Sequence, residues 1–313
     1  MKRPKDHYVA QTYLKWFANE QKSLWVYGKK WPGVKSKSPA QICKEPGGSD
    51  NPFLQKNRAI EAYLAPIENN WNDHIRFLTS ATETSSQEYL NAKLTVCCYM
   101  AYLRFHTPAT VRIEQAALSA ILRSTLKLLN DAGELPPPPA DLQNIADTID
   151  ESCFTVDGKF PRAIAAGILP KAASNFFKSP MMLLHNESEM PLLTSDNPLC
   201  LWHCNDATYP TLYLPLTPRT AVLVKPFIEK ERTANYDHSL DHAADPKPEL
   251  IKILNEQTAK HAEQIVISNQ QRNDVLALVA EYKDWHFANL TTTLSIHEGD
   301  IIINTSRAIK KDL

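Results

Sequence analysis

The sequence predicts an α+β fold that is predominantly α-helical, with a small antiparallel β-sheet in its C-terminal half. Three observations predict it. Before residue 178, apolar residues recur at i, i+3, i+4 and i+7 over several long stretches, the signature of helices with one buried face. The chain carries 22 prolines and only 8 glycines, a composition of helices joined by proline-punctuated loops. After Pro180 the apolar runs become short and alternating, bounded by Pro, Asn and Asp, as strands and turns are. The 313 residues read as a single domain, with a helical part over about 1–178 and a dependent mixed α/β part over about 179–313.

The elements follow in order. Lys5–Phe17 reads as a helix whose core side is Val9, Tyr13 and Phe17. If it starts that early, His7 and Gln11 lie one turn apart on another side. Ser23–Tyr27 (SLWVY) alternates and reads as a strand, and Trp31–Gly48 as a loop. Asn57–Leu78 places Ile60, Leu64, Ile67, Trp71, Ile75 and Leu78 on one stripe, with Pro66 expected to kink or split it. Glu61 and Glu68, seven residues apart, share a face of that helix. Ser85 or Ser86 caps the next helix. It runs to about His106, is apolar nearly all round, and reads as the central helix of a bundle. Pro108 then opens a third long helix, to about Asn130.

Pro136–Pro139 form a stiff linker inside the helical unit. Helical patterns follow over Asp141–Cys153 and Pro161–Phe177, the second expected to break at Pro170. Met181–His185, Leu192–Thr194, Leu199–His203 and Tyr213–Val224 read as the strands of one small sheet. Glu249–Ser268 reads as a helix, Asn273–Lys283 as another, and Leu290–Ser295 with Asp300–Asn304 as a last pair of strands.

Composition excludes several function classes. The net charge is −1, from 34 basic and 35 acidic side chains, so the chain is not a globally basic nucleic-acid binder. Neither G-x-x-x-x-G-K-[ST] nor G-x-G-x-x-G occurs, which removes the two common nucleotide cradles. The N-terminus has charge without an apolar run behind it, and no window reaches 18 uncharged apolar residues. The expectation is a cytoplasmic protein with no membrane partner, its six scattered cysteines reduced.

Four segments carry candidate chemistry. His7 and Gln11 stand beside a helix anchored by large side chains, the rigid support that a site residue needs; a solvated helix end reads the same way. Thr194-Ser195-Asp196-Asn197-Pro198 lies where the chain leaves a strand. Its Asp and Asn either brace a turn or present a carboxylate and an amide to a metal or a water. Arg104, His106 and Arg112 surround a helix end next to Thr107-Pro108; they suit an anion, or they complement the helix dipole. Cys200, His203 and Cys204 offer three zinc ligands where four are usual.

These segments together resemble a bacterial family of unknown function, DUF4238, marked by an N-terminal His-Tyr-Val-Pro motif. The matching pieces are His7-Tyr8-Val9-Ala10-Gln11 with Tyr13, Leu14 and Phe17, then Glu61 and Glu68, Arg104 to Arg112 with Thr107-Pro108, Thr194 to Pro198, Pro215-Leu216-Thr217-Pro218, and Asn255 with Ala259 and Ala262. They run in the same order over about residues 5 to 270. Two positions depart: Ala10 replaces the motif proline, and His106 stands where an Arg is more usual.

The resemblance implies a mostly helical domain with a small β part and a set of recurring polar residues: His7, Gln11, Glu61, Arg104, Ser195, Asp196, Asn197 and Asn255. The expectation is that they converge in one pocket for metal-assisted hydrolysis of a phosphodiester in a nucleic acid or nucleotide. Asp196 and Glu61 would hold a divalent metal, Mg or Mn. His7 would be general base or ligand, and Arg104 would stabilise developing charge. Gln11, Ser195, Asn197 and Asn255 would bind substrate. The competing expectation is a non-catalytic binding or interaction protein, such as a small-molecule or nucleotide sensor or an antitoxin-like partner.

Overall fold

The computed structural model describes residues 5–135, 155–202, 210–225, 241–296 and 299–311. The expected helix at Asp141–Cys153, the Pro136–Pro139 linker, and His203 and Cys204 of the zinc reading lie outside them.

The stripes predicted for the helical half become a packed layer. Helices α2 (Ala59–Leu78) and α4 (Pro108–Asp131) flank α3 (Gln87–His106), and α5 (Lys159–Phe177) packs along α3 as well. Helix α3 buries residues on every side, from Tyr89 through Val96 and Met100 to His106. Ser86 caps it by accepting from the Tyr89 amide at 3.1 Å. Thr107 ends it in an extended conformation and caps α4, where Pro108 is the first residue. Pro lacks an amide hydrogen, and the first turn has no use for one.

Neither Pro66 nor Pro170 breaks its helix. Pro66 and Ala62, whose carbonyl loses its partner, are both on the exposed side of α2, where the carbonyl is open to solvent and the missing bond costs least. Pro170 is exposed in the same way on α5.

The β content corrects the predicted fold class. The chain is not predominantly helical with one small C-terminal sheet. It has four sheets among the described residues, and two of them use N-terminal strands. A two-stranded sheet pairs β1 (Lys5–His7) with β4 (Lys44–Pro46), antiparallel. An antiparallel four-stranded sheet has the order β3 (Val34–Lys37), β2 (Leu24–Gly28), β11 (Ile265–Ser268), β6 (Thr194–Ser195). A five-stranded sheet runs β10 (His242–Ala244), β5 (Met181–His185), β9 (Thr220–Val224), β8 (Thr211–Pro215), β7 (Cys200–Trp202). Its β10–β5 pair is parallel and the others antiparallel. A hairpin of β12 (Trp285–Ile296) and β13 (Gly299–Lys310) forms the fourth.

The segments behind the correction are short and polar. β1 reads KDH, β3 VKSK and β4 KEP. Such runs show no apolar alternation and become strands only because tertiary partners pair with them. The expected helix over Lys5–Phe17 therefore starts late: α1 (Gln11–Leu14) and a 3₁₀ turn (Lys15–Phe17) follow β1. The expected helix over Glu249–Ser268 splits into α6 (Pro248–His261) and β11, whose β-branched IVIS run is fully buried. A final helix, α7 (Asn273–Glu281), precedes the hairpin.

One continuous core joins the two parts. Tyr13, Phe17, Trp71 and Tyr99 form an aromatic cluster with ring centroids 4.8–6.0 Å apart. The same apolar cluster continues into Met181, Leu183 and Val222 of the five-stranded sheet. Burying each such side chain contributes about 1.5–3 kcal/mol, so α1 is held by packing although it is one turn long. Its Tyr13 hydroxyl donates to the Pro215 carbonyl at 2.8 Å and meets Thr194 Oγ1 at 2.7 Å. Among the described residues no helix is long and apolar enough to cross a membrane.

Candidate functional site

A cleft of 820 Å³ opens between β1, α1 and α2. Asp6, His7, Gln11, Arg58, Glu61 and Glu68 line it, with Lys5 and Lys15 also on its walls. Strand β1 brings in Asp6 and His7, held in register opposite Glu45 and Lys44. Helix α2 brings in Glu61 and Glu68 on one face. The N-terminus of α1 brings in Gln11, and the Ala10 amide before it is tied to the Tyr99 hydroxyl at 3.0 Å.

His7 and Gln11 touch. The Gln11 amide nitrogen lies 3.3 Å from His7 Nδ1. An amide NH₂ can only donate, so this contact leaves Nδ1 as the acceptor and places the ring proton on Nε2. Burial lowers the His7 pKa from its usual value, and the neighbouring Lys44 charge lowers it further; the carbonyls of Ala40 and Pro39 and the Asp6 charge pull the other way. The imidazole is therefore neutral at pH 7. Glu68 shifts in the opposite direction. Burial raises its carboxyl, the Glu61 charge raises it again, and Lys15 opposes both. A histidine moved down stays neutral and free to take a proton, and a carboxylic acid moved up holds its proton more tightly, so the walls of one cleft carry a candidate base and a candidate acid.

Arg58 organises the acidic wall. Its Nη2 donates to Asp6 at 3.0 Å, its Nη1 to Asp50 at 2.9 Å, and its Nε to Glu61 at 2.6 Å, with a second, short bond from Nη2 to Glu61. Glu61 and then Asp6 hold the guanidinium well above its usual range. The other Asp6 oxygen accepts from the Ser49 amide at 3.0 Å.

The remaining predicted site residues lie elsewhere. Asp196 lines no wall of this cleft. It is 4% exposed, and its two oxygens accept from the Glu263 and Gln264 amides at 2.9 and 2.8 Å. Burial raises its carboxyl to about 6, against the pull of those amides. Thus Asp196 braces the turn between α6 and β11, and the expected pairing with Glu61 around a metal does not form. Ser195 Oγ accepts from the Asn197 amide at 3.1 Å. Asn197 donates to the His261 carbonyl at 3.1 Å and accepts from the Thr107 hydroxyl at 2.8 Å. Asn255 accepts from the Leu193 amide and donates to the Pro191 carbonyl, both at 2.9 Å. Arg104 faces α4, where it pairs with Glu114 at 3.5 Å and covers the Phe105 ring. Among the described residues no group of three or more His, Cys, Asp or Glu is arranged to hold a metal ion.

Sequence reasoning brought His7, Gln11 and Glu61 to the site. It noted Asp6 beside His7 and the seven-residue Glu61–Glu68 spacing without placing Asp6 or Glu68 in the site, and it missed Arg58, whose signal is its place three residues before Glu61 at a helix start.

Residues 5–272 match the family described as "Protein of unknown function (DUF4238)". The chain belongs to this family. Its matched span holds the whole cleft and every bracing residue described above, and ends at the start of α7. Neither a curated protein nor a solved structure matches the chain.

Proposed function

We propose that this DUF4238 chain is a hydrolase acting by general acid–base chemistry in the cleft between β1 and α2, on an anionic ester of the phosphodiester class. The observation that carries the reading is the neutral His7, held by Gln11, in the same cleft as a Glu68 whose carboxyl is raised by burial and by Glu61. His7 would take a proton from the attacking water, Gln11 giving way as substrate enters. Glu68 would deliver a proton to the leaving oxygen, the two roles that a shifted His and a shifted Glu can share. Lys5 and Lys15 would attract the anion, and Arg58 keeps Asp6 and Glu61 neutralised so that they do not repel it. This replaces the metal scheme built on Asp196, because Asp196 is committed to two backbone amides.

The test is turnover of single- and double-stranded DNA, RNA, nucleotides and bis-p-nitrophenyl phosphate, each with Mg²⁺, Mn²⁺ or chelator. Activity in wild type that falls by about 10²-fold or more in His7→Gln, with the variant's unfolding curve unchanged, supports the reading. Activity retained in His7→Gln and Glu68→Gln overturns it. The non-catalytic reading gains if nucleotides bind, lose affinity in Lys15→Ala, and are never turned over.

A further inference from the structure

Next to the cleft lies a second, narrower space. It measures 10 Å³ and shares Asp6, His7 and Ser49 with the cleft wall; Tyr102, His106 and Arg162 also line it. Three buried polar atoms of its lining residues find no hydrogen-bond partner among the described protein atoms: His106 Nε2, Arg162 Nε and, on the side shared with the cleft, His7 Nε2. His106 is 2% exposed and Arg162 7%. A buried polar group is costly to leave without a partner, so several at one spot call for a ligand.

Each group's role follows from its neighbours. His106 Nδ1 lies 3.2 Å from the Tyr102 carbonyl, which can only accept, so Nδ1 carries the proton and Nε2 presents a bare lone pair. The ring is stacked on Tyr102, with centroids 4.8 Å apart. Burial and the Arg162 charge lower its pKa to about 3, so it remains neutral. Arg162 spends its other nitrogens on Glu45, the Gly48 carbonyl at 3.2 Å and the His106 carbonyl at 3.4 Å, leaving the Nε hydrogen as a donor. One donor and one acceptor face a space that fits about one water molecule, which needs roughly two to four polar partners.

We infer that this chamber is a water site, in which one water accepts from Arg162 Nε and donates to His106 Nε2, and that it supplies the nucleophile to the adjoining cleft. The second part rests on the hydrolase reading above. His7 borders both spaces, so a water passing from chamber to cleft passes the imidazole that takes its proton. In the reaction the water oxygen bonds to the substrate phosphorus and the ester oxygen leaves. The water proton goes to His7, and Glu68 protonates the leaving oxygen. His106 and Arg162 touch neither substrate nor leaving group and are positioning residues.

A high-resolution crystal structure of the full chain tests the site directly. The expected result is one ordered water within hydrogen-bond distance of both nitrogens; density showing none overturns the site. His106→Phe fills the space without an acceptor, and His106→Asn keeps an acceptor. Against the phosphodiester that wild type turns over best, His106→Phe is expected to lose roughly tenfold in kcat with KM within about twofold, while His106→Asn keeps the water and more than half of kcat. Wild-type kcat in a folded His106→Phe whose structure lacks the water overturns the nucleophile role. If His106→Phe does not fold, His106→Asn decides the role alone: its kcat must track whether its structure holds the water. A wild type with the water but no turnover on any substrate defeats the hydrolase reading and with it the nucleophile role, and leaves the water site standing.

Discussion

The Thr107 hydroxyl donates to Asn197 Oδ1 at 2.8 Å, joining the helix α3–α4 corner to the segment after β6, 90 residues away in sequence. Thr107 also caps α4, and Asn197 also holds the end of α6 through the His261 carbonyl. This polar pair thus ties three elements together rather than serving the cleft.

Asn197→Ala is expected to destabilise the protein by about 2–3 kcal/mol, since it strands the Thr107 hydroxyl and the His261 carbonyl in a buried setting. Thr107→Val should cost a similar amount, and the double variant less than the sum, because the two share one bond. Urea unfolding of the three variants measures this. Additive effects would show that the pair is not coupled.

Asp196 should make stability depend on pH. Its folded-state pKa of about 6 lies above the ordinary 3.8, so the folded protein binds this proton more tightly than the unfolded chain. The associated stabilisation is full below pH 3.8 and is lost as pH rises through about 6. Two units correspond to roughly 3 kcal/mol. Asp196→Asn should flatten that part of the stability–pH curve, while costing about 1–3 kcal/mol for an amide left without its acceptor. An unchanged slope in the variant would assign the titration to another group.

Lys93 and Asp241 form a fully buried ion pair at 2.7 Å, both side chains 0% exposed. Lys93 also donates to the Ser179 carbonyl and Asp241 accepts from the Met181 amide, so the pair pins the start of β5 to α3. Lys93→Met leaves a buried carboxylate without its cation and should cost about 3–5 kcal/mol. Thermal unfolding reads this, and a shift of only a degree or two would mean that the site rearranges or takes in water.

The His7 titration sets a limb of the activity profile. Its folded pKa lies below the usual 6.5, so the neutral base persists through pH 7 and is lost only as pH falls below that value. The stability contributed by the neutral form is likewise present above 6.5 and lost on acidification. A pH–rate profile of kcat/KM should fall on its acid side below 6.5. Lys44→Ala should move that limb to higher pH by removing the second cause of the shift. A limb above 6.5 in wild type counts against His7 as the base.

The amino-acid pattern by itself determined the long helices and their caps. Repeating stripes such as Ile60-Leu64-Ile67-Trp71 and local signals such as Ser86 and Thr107-Pro108 act within a turn or two of chain. The strand at 181–185 was legible for the same reason, whereas Tyr213–Val224, read as one run, divides between the end of β8 and β9. Tertiary structure alone decided the rest. KDH and KEP become strands because each is the other's partner, Lys5 opposite Pro46 to His7 opposite Lys44, far apart in the chain. Ile265–Ser268 leaves the helical pattern because Asp196 captures the two amides before it and β2 and β6 wait on either side. The site divides likewise. His7, Gln11 and Glu61 were visible as candidate polar residues, but a polar side chain carries no mark of whether it faces a cleft or a backbone amide. That choice belongs to the packing, which set His7 and Gln11 against the cleft and spent Asp196, Asn197 and Asn255 on holding the chain.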